Sequence, residues 1–333
     1  MKGSSRVAVV ALTVVLGVSA VAVAAITAIE EPATVATPAE RLRAAGASGG
    51  PTLAGCPVFP ADNPWNQRID SAPRHPDSAA IIARIQADGG DDLHPDFGEN
   101  PNYGIPYLVV PANEPLRTIT YTAYGSESDR GPFPIPTDAP IEGGSSADGD
   151  RHVIVLREGT CDLFELYRAF PTGAGWEADS GARWNLRSNT LRPAGWTSAD
   201  AAGLPILPGL VRYDEVAAGE VRHAIRITFN RTRRAYIHPA THYASSRTDA
   251  DLPPMGLRLR LRAGYDVSAL TGQARVIATA MQRYGVIVAD NGSNWFFQGA
   301  PSPGWDDDDL RQLKQISGNE FEVVFTGQPV VGG

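Results

Sequence analysis

The chain contains no G-x-S-x-G elbow, no P-loop, no H-E-x-x-H and no G-x-G-x-x-G. Those absences remove the local signatures of α/β-hydrolases, P-loop NTPases, zincins and dinucleotide enzymes, and no cofactor is called for. A triad assembled from distant segments carries no local signature and stays open. Basic charge is also scarce, with 29 Lys+Arg against 37 Asp+Glu, a net charge of -8 and a pI near 5.3. A general nucleic-acid binder needs a basic face to displace counterions from phosphates, so nucleic acid is excluded as a partner on this ground. Anionic lipid is disfavoured for the same reason.

Cysteine is nearly absent. The two that exist, Cys56 and Cys161, pair by default in an oxidising compartment. The bridge would close a loop of about a hundred residues, worth roughly 4–5 kcal/mol in the chain-entropy model.

Long apolar runs number one. After Lys2 and Arg6 the chain is apolar from Val7 to Ile29, with Ala20, Ala22 and Ala24 forming A-x-A patterns suited to cleavage. Residues 1–29 read as a signal peptide or, being just long enough to span a bilayer, a retained N-terminal anchor. Membrane contact is expected only through such an uncleaved anchor, and the rest is expected to be secreted or tethered outside. The Gly/Ala/Thr/Pro-rich residues 30–54 read as a disordered linker. Residues 55–330 show no second linker and no repeat, and read as a single β-rich domain.

What is present is mostly strand pattern. Segments 105–110, 117–123, 152–158, 161–170, 220–229, 234–239 and 256–263 are rich in β-branched and aromatic residues, several in alternation. In 257–263 leucines alternate strictly with arginines, predicting a half-buried antiparallel strand. Glu158-Gly159-Thr160 predicts a hairpin that brings Cys161 to a sheet edge, and Asn291-Gly292 predicts a type I′ hairpin. Helices are few: one capped by Asp77 or Ser78 and stopped at Gly89, one ending at Gly285, and one opened by the four aspartates 306–309. The pattern predicts a mainly β fold, an antiparallel β-sandwich of jelly-roll type with a few peripheral helices.

Carboxylates carry the functional expectation. Asp214 and Glu215 follow Arg212 between an apolar, proline-rich approach and a strand. On an extended segment adjacent acids point to opposite faces, so one can face a cleft while the other pairs with arginine. Burial raises a carboxyl pKa and an arginine lowers it, and glycosidic cleavage needs one protonated and one ionised carboxyl. Asp290, beside the turn at Asn291, and Glu165, in a strand, are the expected partners; Asp129, Glu142, Asp162, Glu177 and Asp179 compete. The six tryptophans fall mostly in polar, loop-like settings, and flat sugar faces stack on such rings. Trp65, Trp184, Asn185, Trp295 and Arg212 are therefore expected to contact substrate. His238 and His242 lie four apart but next to Pro239 and without a neighbouring acid, so no metal site is assigned. Asn230-Arg-Thr232 and Asn291-Gly-Ser293 fit the glycosylation acceptor pattern.

These features point to an exported carbohydrate-active protein, a glycoside hydrolase acting on an extracellular polysaccharide or oligosaccharide. The alternative is a non-catalytic carbohydrate-binding or cell-surface β-sandwich protein.

Overall fold

The structure, a computed structural model, describes residues 49–332. The expected signal or anchor at 1–29, and the linker as far as residue 48, lie outside the described residues. The strand Thr52–Leu53 pairs with Cys56–Pro57, so residues just before the boundary expected at 55 belong to a strand pair. Among the described residues no helix is long and apolar enough to cross a membrane.

Strands outweigh helices, 26% to 17%, in several curled sheets with few helices, which makes this a mainly β, sandwich-like fold. Ten strands of the two largest sheets are numbered in chain order: β1 His94–Asp96, β2 Tyr107–Val110, β3 Val153–Arg157, β4 Asp162–Tyr167, β5 Ser180–Asn185, β6 Ile225–Phe229, β7 Arg258–Leu261, β8 Val286–Asn291, β9 Phe296–Gln298 and β10 Phe321–Val323. One sheet runs β5-β4-β3-β2 and the other β10-β7-β8-β6-β9-β1. Both are mixed, because β2–β3, β6–β8 and β1–β9 pair in parallel while the remaining neighbours are antiparallel.

The four-stranded sheet separates two cores. Strand period places Val153 and Val155 in a smaller cluster with Phe133, Phe164, Leu166 and Trp176, while Ile154, Leu156 and Leu163 enter the main core. Glu165, two residues after Leu163, is thereby directed to the main-core face with no exposed surface. The hairpin at Gly159 forms as expected, with Gly159 at φ 73° joining β3 to β4. It delivers Cys161 to Cys56, and the expected disulfide is present with Cα atoms 5.4 Å apart.

Three helices stand where the 3.6-residue period predicts them: Ser78–Ala87, Gly272–Arg283 and Asp307–Arg311. The last is capped by Asp306, whose carboxylate accepts the N–H groups of Asp308 and Asp309 at 3.0 Å each. The four aspartates are therefore explained by capping and the helix dipole.

Two expectations need correction. The hairpin at Asn291-Gly292 does not form, because β6 lies between β8 and β9 and pairs with both. The positive φ falls on Trp295, at 63°, which turns its indole into the core against Phe229 and Phe321. Gly318 is required beside it, since a Cβ there would run into the indole. The Leu/Arg strand is antiparallel as expected, but its arginines do not share one wet face: Arg262 is exposed and Arg260 half-buried. Arg258 is buried, donating to the carbonyls of Pro64, Gln67 and Tyr284, and burial lowers its pKa to about 9.

Candidate functional site

Arg226 sits in the middle of the apolar strand β6 and is buried, so its charge must be met inside the protein. Asp200 meets it with two hydrogen bonds of 2.9 Å, from Nε and Nη2. The same Nη2 reaches Asp290 Oδ2 at 3.2 Å. Asp200 has no exposed side-chain surface, whereas Asp290 keeps 21%. The guanidinium is satisfied mainly by Asp200, which leaves Asp290 as the member of this triad that solvent and ligands can reach.

Burial and the second carboxylate set the protonation of Asp290. Burial, then the neighbouring charge of Asp200, raise its pKa to about 8, against the opposing pull of Arg226. Arg226 is held above the ordinary arginine range: burial opposes this, but the charges of Asp200 and Asp290 prevail.

A second ion pair backs the first. Burial alone would lower the pKa of His152, but Glu142 at 2.6 Å raises it to about 9, with Asp150 adding to the effect. Glu142 is itself held below the usual range because His152 overcomes its burial. His152 Nε2 faces the carbonyl of Ala199 at 3.0 Å, tying this pair to the loop that carries Asp200.

Glu165 completes the frame. Ile206 and Leu207 donate their backbone N–H groups to its carboxyl at 2.9–3.0 Å. Burial nevertheless raises its pKa to about 7. Asp96 extends the frame along the sheet. It pairs with Gln298 across β1 and β9, and continuing the β9–β6 register places Gln298 beside Arg226. Burial, then Glu142, raise the Asp96 pKa.

A pocket of about 240 Å³ opens over Asp290, lined also by Tyr124, Asp150, Tyr167, Ser198, Asp200, His242 and Asn291. Its walls come from both large sheets, so the sandwich seam positions it. The Tyr167 hydroxyl is raised above the usual tyrosine range by burial first and then by Asp150, with Asp290 adding to the effect. The carbonyl of Ala201 accepts from His242 Nδ1 at 2.8 Å, leaving Nε2 as the ring nitrogen that a ligand can meet. Asn291 is committed to structure, with Nδ2 donating to Ala244 O and Oδ1 accepting from Thr232.

The sequence-predicted residues divide. Asp290 meets Arg226, while Glu165 is buried behind on the backbone N–H groups of Ile206 and Leu207. Only Asp290 reaches the pocket. Asp214 and Glu215 lie elsewhere, and on a short helix, Tyr213–Ala217, rather than on an extended segment. Glu215 is nearly buried between Arg212 Nη2 at 2.5 Å and His223 Nε2 at 3.0 Å, and these partners hold its pKa low despite burial. Asp214 stands 55% exposed beside a shallow depression with Tyr107, Tyr213 and Pro301. Arg212 is completely buried and braces Glu215, so it has no surface to offer a substrate.

The tryptophans are spent on packing. Trp65 and Trp295 are 1% and 0% exposed, so neither has a ring face for a sugar. Trp184 is buried as well, with one edge on a groove that Asn185, Arg183 and Asp162 also line, away from Asp290. His238 and His242 separate: His238 packs edge-on against Tyr236, while His242 faces the pocket. Asp200, Arg226, Asp150 and Tyr124 were not singled out by the sequence reading. Arg226 carried a signal, an arginine inside a buried strand, which demands an acid from elsewhere in the chain.

No protein-family model matches the chain, and no curated protein or solved structure matches it.

Proposed function

We propose that this is an exported glycoside hydrolase that cleaves an extracellular polysaccharide or oligosaccharide in the pocket over Asp290. The observation that carries the reading is a carboxyl, its pKa pushed up to about 8 by burial and Asp200, that remains open to a ligand-sized pocket. Such a group is suited to act as general acid on a glycosidic oxygen. Asp150, exposed on the same pocket wall, is the second carboxyl and takes the part of the base. In the reaction Asp290 gives its proton to the leaving oxygen as the C–O bond breaks. Asp150 accepts a proton from the water that adds at the anomeric carbon.

Arg226, Asp200, His152 and Glu142 act from behind. With both cations charged and Asp200 and Glu142 as their counterions, the cluster is balanced when Asp290 is protonated. The buried disulfide and the apolar leader-like segment support export.

The test is incubation of the protein with a panel of polysaccharides, scored for released reducing ends and for retention on insoluble glycans. Cleavage supports the reading. Retention without cleavage selects the non-catalytic carbohydrate-binding alternative.

A further inference from the structure

Tyr124 lies on the wall of the Asp290 pocket and yet is 49% exposed. Among the described residues its ring meets no other aromatic ring and no guanidinium, and its hydroxyl has no hydrogen-bond partner. Its backbone, by contrast, is pinned. Tyr124 N–H donates to Asp179 O at 2.7 Å, and its carbonyl accepts from Glu127 N at 3.0 Å and from the Ser128 hydroxyl at 2.8 Å. An exposed aromatic ring on a fixed mount, lining the same pocket as Asp290, is a prepared contact surface.

We infer that Tyr124 is the platform on which a pyranose ring of the substrate lies, and that it selects sugars with an uninterrupted apolar C–H face. The inference rests on the hydrolase reading above. It also answers the loss of the expected tryptophan contacts: Trp65, Trp176, Trp184, Trp295 and Trp305 are buried, and the half-buried Trp196 has Arg192 over its ring. The pocket supplies polar atoms to complement the stacked face, namely the Asp150 carboxyl, the Tyr167 hydroxyl and His242 Nε2. Stacking positions a neutral hexose without a cation, in keeping with a pocket whose guanidinium is already committed to Asp200 and Asp290.

The experiment compares wild type, Y124F, Y124W and Y124A as full chains on cello-, xylo-, chito- and malto-hexaose, measuring cleavage kinetics and equilibrium binding. Thermal unfolding of each variant accompanies the series, and the exposed position should leave Tm nearly unchanged. Y124A is expected to raise KM, and the Kd, by about tenfold with kcat little altered, while Y124F and Y124W stay within about twofold to threefold. Y124A indistinguishable from wild type on a glycan that wild type cleaves overturns the platform and leaves the hydrolase reading standing; on a glycan that wild type binds without cleaving, the same result overturns the platform together with the hydrolase reading. Wild type that neither cleaves nor binds any of the four overturns both.

Discussion

Arg226 gives Asp290 the same nitrogen it gives Asp200, at 3.2 Å against 2.9 Å. The second contact is the longer and the less shielded from solvent, and its pull is outweighed by burial and by the charge of Asp200, which together hold a proton on Asp290. Without Asp200, burial would still push the carboxyl up, and Arg226 would pull against it unopposed by a second carboxylate.

Stability should therefore fall as pH rises. Asp290 has a folded pKa of about 8 against an ordinary value of 3.8. Between those values the folded chain holds a proton that the unfolded chain has released, so stability declines across that window and levels above it. D290N removes the titration. Urea unfolding at intervals from pH 4 to 9 should give a shallower pH slope for D290N than for wild type. Equal slopes would contradict the assignment.

The His152–Glu142 pair predicts a further alkaline loss. A histidine raised from 6.5 to about 9 contributes stability fully below its unfolded value, and this is lost as pH rises through about 9. Glu142, held low, contributes above its ordinary value and loses that contribution in acid. E142Q strands a buried imidazolium and should cost about 3–5 kcal/mol near pH 7. The His152 ring resonances, followed by NMR, should titrate at lower pH in E142Q; an unchanged midpoint would refute the pairing.

Replacing both cysteines tests the staple within the main core. Cys56 and Cys161 are buried and 105 residues apart in sequence. C56A/C161A should lower the unfolding free energy by about 2–5 kcal/mol, measured by urea denaturation. A loss under about 0.5 kcal/mol, the size of a neutral surface change, would show that the loop is already constrained without the bridge.

Local features were legible where local physics decides. The helix at Asp307–Arg311 follows from acids at its N-terminus, and the β3–β4 hairpin from Gly159 and its flanking strands. The parallel pairings were not legible, because β6 meets β8 across some sixty residues and leaves no periodic mark. The Asn291-Gly292 dipeptide misled for that reason, since the chain on either side pairs with β6 instead of with itself. Of the candidate site, Asp290 was legible as a polar residue beside apolar strand. Its partners Asp200 and Arg226 come from distant segments and are joined only by the fold. The tryptophans misled because polar neighbours in sequence say little about burial. Trp295 has Asn294 and Ser293 just before it and is still completely enclosed.

The most direct measurement is the pH dependence of reducing-end release, wild type beside D290N, on whichever polysaccharide of the panel wild type cleaves. Wild-type kcat/KM should fall about tenfold per pH unit above a pKa near 8, and D290N should lose at least about a hundredfold at pH 6 while keeping its fold. A D290N protein that cleaves as fast as wild type, or a panel on which wild type releases no reducing ends, would contradict the account.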